Sequence, residues 1–176
     1  MAWACCALLM LWPLAATGQA ASPGLRETLV DALVIPDETR FSRHRWGHEP
    51  DVVVLYFGAD WCAPCHAFVP ELKRVHAALK AAGADTEVVY VSLDESEADM
   101  RRYMNRQRMP WPAIDYRRSR MLVSVRALAG RAPPNLVLVD REGEVIASGW
   151  DGGRYTGLKP VLEAWVDAVS RPRDSQ

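Results

Sequence analysis

The sequence predicts an α/β fold, with a mixed central sheet and helices packed on both faces, and three observations carry that expectation. Residues 51–58 (DVVVLYFG) and 86–92 (TEVVYVS) are β-branched and aromatic runs without polar alternation, the pattern of strands buried on both sides. A helical repeat of apolar residues separates them. Two short apolar runs, 135–140 and 144–148, are joined by Arg141-Glu142-Gly143 and read as a hairpin ahead of a closing helix. Strand, helix, strand, helix, hairpin, helix is an order that covers both faces of a sheet.

Each element has its own signal. Leu25, Leu29, Val30 and Leu33 suggest a short first helix, and Arg43, His44, Arg45 and His48 form a small basic cluster that reads as solvated surface. After the first strand, Phe68, Leu72, Val75, Leu79 and Ala82 recur at helical spacing, so a helix is expected from near Cys62 to Gly83, kinked by Pro70. Ser96-Glu97-Ala98-Asp99 resembles a capping box that opens a helix running to about Gln107. Met109-Pro110-Trp111-Pro112 must be a loop, with an exposed-looking tryptophan, and residues 116–130 read as irregular. Leu158, Val161, Leu162, Trp165, Val166 and Val169 mark one face of the closing helix.

The chain has 176 residues, 49% of them apolar, and a net charge of −1. That is enough for one domain with a real core, and it provides no basic field for nucleic acid. Residues 1–21 read as a signal peptide. The apolar run from Ala2 to Ala16 is too short to span a bilayer comfortably, and small residues offer a cleavage window from Gly18 to Ala21. The n-region carries no Lys or Arg, so an uncleaved segment that holds the protein at the membrane is the alternative. Residues 22–50 follow as an N-terminal extension, 51–170 as the folded domain and 171–176 as a polar tail. Export to the periplasm would remove Cys5 and Cys6 with the leader and leave Cys62 and Cys65 as a pair in an oxidising compartment.

Thiol–disulfide exchange needs a thiolate attacker, a second thiol that releases the mixed disulfide, and access for a partner. Cys62-Ala63-Pro64-Cys65 at a helix start meets these needs, because unpaired backbone N–H groups and the helix dipole favour a thiolate on Cys62. Cys65, one turn on, suits the resolving role, and Pro64 tolerates the first turn. A zinc half-site is the competing reading of such a pair. It lacks a second cysteine pair, and His66 and His76 lie on other helix faces.

The run Tyr56-Phe57-Gly58-Ala59-Asp60-Trp61-Cys62, the run Val91-Ser92-Leu93-Asp94-Glu95-Ser96, and Met109-Pro110-Trp111 appear in order. Together with Trp-Cys-x-Pro-Cys they make the chain, from about Val52 to Val169, resemble the thioredoxin superfamily, and within it the tryparedoxin and nucleoredoxin branch. The resemblance implies a thioredoxin-like fold and a cis proline beside the cysteines, Pro134 by register or else Pro133, which shapes a substrate groove and keeps metals from the thiols. Trp61 would support the active surface. The chain departs from typical thioredoxins in placing Tyr56 where they bury an acid and Tyr90 where they carry a lysine, so proton handling at Cys65 cannot be copied from them.

The expected function is an exported thiol–disulfide oxidoreductase, a disulfide reductase that works without a cofactor as a monomer. Its partners would be disulfide-containing proteins and an electron donor, for which a membrane protein is one candidate; an oxidase or isomerase, or a copper-handling protein, are the alternatives. Ala63-Pro64 donates no hydrogen bond to a thiolate, and Asp60, read as an exposed carboxylate, should matter little. A potential nearer the roughly −270 mV of thioredoxin than the roughly −120 mV of strong oxidants follows.

Overall fold

The structure, a computed structural model, describes residues 24–171. The expected leader and most of the polar tail lie outside the described residues.

Seven strands form one mixed sheet in the order β2-β1-β5-β4-β3-β6-β7. At its centre, β3 (Val52–Gly58) runs parallel to β4 (Thr86–Ser92) and antiparallel to β6 (Asn135–Val139). Beyond them lie β5 (Ala113–Ile114), parallel to β4, and β7 (Val145–Ser148), antiparallel to β6. All seven residues of β3 are buried. Successive side chains of a strand point to opposite faces. Val52, Val54 and Tyr56 therefore enter one core with Phe68, Leu72, Tyr103 and Trp165, while Val53, Leu55 and Phe57 enter the other with Leu29 and Val125. This double burial is why the strand shows no polar alternation.

The first of these cores is covered by α2 (Ala63–Ala81), α3 (Glu97–Gln107) and α6 (Lys159–Ser170). The α2 helix runs through Pro70, which leaves the His66 carbonyl without its usual helical donor. Ser96 caps α3 by accepting the Asp99 N–H at 3.1 Å, and Arg108 ends it with a left-handed φ of 48°. The opposite core is covered by α1 (Leu25–Asp31) and the short helix α5 (Val123–Ala127); α5 and the preceding short helix α4 (Tyr116–Met121), whose Tyr116 packs against the first core, lie in the stretch expected to be irregular.

Two further expectations need correction. Residues 22–50 supply β1 (Leu33–Pro36) and β2 (Phe41–Arg43); β1 pairs with β5 through Leu33↔Ile114 and Val34↔Ala113. The packed unit thus begins at α1, ahead of the boundary expected at residue 51. Trp111 is not exposed. Its ring is fully buried, edge-on at 5.7 Å to the ring of His76, a residue of α2.

Register decides where the site lies. Phe57 pairs with Asn135, so the segment entering β6 at Pro134 sits beside Gly58, at the end of β3 from which the chain leaves toward Cys62.

Candidate active site

Cys62 is the N-cap residue of α2, with extended backbone (φ −91°, ψ 98°), and its Sγ accepts the Cys65 N–H at 3.2 Å. A sulfur in that position satisfies one of the orphan donors of a helix start. The same N–H would favour a thiolate. Cys62 and Cys65 form a disulfide across a Cα–Cα distance of 5.2 Å. Cys62 retains 4% exposure and Cys65 none. Pro64 occupies the first turn, where no backbone donor is required. Trp61 projects from the surface with 62% exposure. The Pro133–Pro134 peptide bond is cis, so Pro134 is the cis residue of the two.

Under the pair lies a group of buried tyrosines. The Tyr56 hydroxyl donates to the Cys65 carbonyl at 3.4 Å and lies 2.8 Å from the Tyr103 hydroxyl. Tyr56 crowds Gly58 so closely that a Cβ there would stand 2.7 Å from its hydroxyl. Burial, reinforced by Tyr103, pushes the Tyr56 phenol far above its ordinary range, and burial pushes Tyr103 up to about 12. Neither phenol supplies a base near neutral pH.

The carboxyl group of this site is Asp94. It is 4% exposed and accepts hydrogen bonds from the Asp60 N–H (2.7 Å), Ser92 Oγ (2.7 Å) and the Tyr90 hydroxyl (3.1 Å). Burial raises its pKa in spite of those donors. Asp94, Tyr103 and His66 were not identified as site residues from the sequence. A polar Ser-x-Asp directly after the apolar run 88–91 is the signal that could have drawn attention to Asp94.

Asp60 corrects another expectation: its carboxylate side chain is only 9% exposed and is paired with Arg102 at 2.7 Å and Arg106 at 3.2 Å. Beside it a cleft of about 330 Å³ is lined by Asp60, Trp61, Asp94, Glu95, Asp99 and Arg102. Among the described residues, no group of three or more His, Cys, Asp and Glu side chains is disposed to hold a metal ion.

The loop leading to Pro134 is held from the other side. Gly130 has φ +74°, and the Trp150 indole lies where a side chain would be, 2.3 Å from an added Cβ. The indole Nε1–H then donates to the Ala132 carbonyl at 3.2 Å. Asn135 Nδ2–H donates to the Leu128 carbonyl at 2.9 Å, which ties the start of β6 to the end of α5.

A mixed sheet, a Cys-x-x-Cys pair at the start of the helix after its central strand, and a cis proline at the facing strand are now in place, and a family model described as thioredoxin-like matches residues 50–145, more than half of the chain. The chain belongs to the thioredoxin-like family. Within it the chain is similar to nucleoredoxins and tryparedoxins. It is 36% identical to nucleoredoxin of Mus musculus over 100 residues, 53% of this chain and 21% of that one. It therefore spans about a fifth of the length of such curated relatives. Among solved structures, tryparedoxin from Trypanosoma brucei superposes with a TM-score of 0.61 at 24% identity, covering 85% of this chain and 96% of that chain. The thioredoxin domain of a thiol-disulfide oxidoreductase from Bacteroides vulgatus superposes with a TM-score of 0.55 at 18% identity, covering 69% and 81%. At those identities the two structures speak for the thioredoxin fold alone.

Proposed function

We propose that this thioredoxin-like chain is an exported disulfide reductase in which Cys62 is the nucleophile and Cys65 the resolving thiol. The observation that carries the reading is the asymmetry of the pair. Cys62 caps the helix, receives the Cys65 N–H and keeps the only exposure, whereas Cys65 is sealed beneath it. In the reduced protein the Cys62 thiolate attacks one sulfur of a substrate disulfide. A Cys62–substrate S–S bond forms, the substrate S–S bond breaks, and the departing thiolate takes a proton. Cys65, losing its proton, then attacks Cys62 Sγ, closes the intramolecular disulfide and expels the second substrate thiol. Two electrons and two protons pass to the substrate, and an electron donor must return them.

Trp61, next to Cys62 in the chain, and the segment at Pro134, beside the end of β3, would form the contact surface for disulfide-containing proteins. Export to the periplasm is supported by the apolar leader and by Cys62 and Cys65 being the cysteines left after its removal. Direction is supported by Ala63-Pro64, which offers the thiolate no side-chain donor.

Insulin reduction by the mature protein, with Cys62→Ser and Cys65→Ser beside it, tests the reading. Cys62→Ser should lose all turnover, and Cys65→Ser should accumulate mixed disulfides on Cys62. Adducts recovered from Cys62→Ser instead would reverse the two roles, and a potential above about −180 mV would turn the reductase into an isomerase or oxidase.

A further inference from the structure

Asp60 lies two residues before Cys62 and has every polar group engaged. Its N–H donates to Asp94 Oδ1 at 2.7 Å. The His66 Nε2–H donates to its carbonyl at 2.6 Å, a tautomer set by the Gln107 amide, which lies 2.8 Å from His66 Nδ1. Its carboxylate takes Arg102 at 2.7 Å and Arg106 at 3.2 Å. Arg102, Arg106 and Gln107 all belong to α3, and Arg102 also binds Asp99 at 2.6 Å. Three elements thus converge on one residue of the loop that presents Trp61 and Cys62.

Two trans peptide links separate Asp60 from Cys62, so their Cα atoms are within about 7.6 Å. That is inside the roughly 8 Å screening length of physiological salt, and the Asp60 side chain is withdrawn from water. A carboxylate held that close along the chain and out of water can act on the sulfur as well as on the loop. We infer that Asp60 is the positioning residue of the redox pair: it locks the Cys62 loop to α3 and, together with Asp99, offsets the charge of Arg102 and Arg106, which keeps the pair reducing. The inference rests on the reductase reading above.

The two halves of this clamp have opposite signs. Asp60→Asn keeps the size of the side chain, removes a negative charge two residues from Cys62, and leaves Arg106 without this carboxylate and Arg102 with Asp99 alone. The thiolate, and with it the reduced form, gains stability. Arg102→Gln and Arg106→Gln leave the carboxylate less compensated, and the reduced form loses stability. A merely structural role would move all three variants in one direction.

The experiment is equilibration of the mature protein and its variants with glutathione buffers, combined with titration of the Cys62 thiol through the ultraviolet absorbance of its thiolate. Asp60→Asn should shift the equilibrium toward the dithiol by about threefold to tenfold, a tenfold change being about 30 mV. Arg102→Gln should shift it the other way, and Asp60→Asn combined with Arg102→Gln should return toward wild type. Asp60→Asn and Arg102→Gln failing to move the equilibrium in opposite directions overturns the inference while leaving the reductase reading intact. A wild-type pair that never exchanges with glutathione overturns both.

Discussion

The hydroxyls of Tyr56 and Tyr103 stand 2.8 Å apart beneath Cys65, in a core where a typical thioredoxin would bury an acid. Each hydroxyl has one proton, so Tyr103 can donate to Tyr56 while Tyr56 donates to the Cys65 carbonyl. The redox helix is thereby tied to the sheet and to α3 through neutral groups.

Tyr56→Phe should cost about 1–3 kcal/mol, because it strands the buried Tyr103 hydroxyl. Tyr103→Phe should cost a similar amount, and the double variant less than the two together by about 1 kcal/mol. Urea unfolding of the four proteins measures this; a double variant as costly as the singles combined would mean that the hydroxyls do not couple. Both native phenols hold their protons above the ordinary value of 10.0. The unfolded chain releases protons there and the native one does not, so stability is intact below pH 10 and falls as pH rises beyond it, by up to about 1.4 kcal/mol per pH unit for each phenol. Tyr56→Phe should lessen that fall.

Trp61 and Trp111 separate function from stability. Trp61→Ala removes an exposed ring and should change unfolding free energy by less than about 0.5 kcal/mol, yet lower kcat/KM on protein disulfides roughly tenfold. Trp111→Ala empties a buried site and should cost about 3–5 kcal/mol. Unfolding curves beside insulin-reduction kinetics decide it, and a Trp61→Ala protein with undiminished turnover would remove Trp61 from the contact surface.

The His76 ring sits between Trp111 and Trp165, and its Nε2 lies 2.6 Å from Glu87 Oε1. Burial would raise the Glu87 pKa, but His76, the Val88 N–H and Lys80 together outweigh it and hold the carboxyl below its ordinary 4.5. A depressed carboxyl contributes stability above its unfolded value and loses it as pH falls through the folded one. Glu87→Gln should therefore cost about 1–2 kcal/mol at pH 7, with the difference closing near pH 3. A gap that stays constant from pH 7 to pH 3 would rule out this linkage.

Much of this molecule was legible because local chemistry and tertiary packing agree. The run 52–58 reads as a doubly buried strand since all of its side chains are apolar, and both sheet faces bury it. Ser96 announces the start of α3 by a side chain that competes for backbone donors, and it caps that helix. Cys62 and Cys65 were recognisable from spacing alone, because a helix start places residues three apart on one turn.

What the sequence by itself determined is the alternation of strands and helices and the position of the cysteine pair at a helix N-terminus, since both follow from residue periodicity and capping within a few positions along the chain. Tertiary structure decided the rest. Short β1 carries too few residues for a period, and only pairing with β2 and β5 makes it a strand. Trp111 between two prolines looks exposed until α2 covers it. Asp60 reads as a solvated carboxylate, and it becomes withdrawn only because α3 brings Arg102 and Arg106, more than forty positions away, to within 3.2 Å. Burial and charge pairing between distant segments are sums over neighbours that the chain acquires on folding, and no local pattern encodes them.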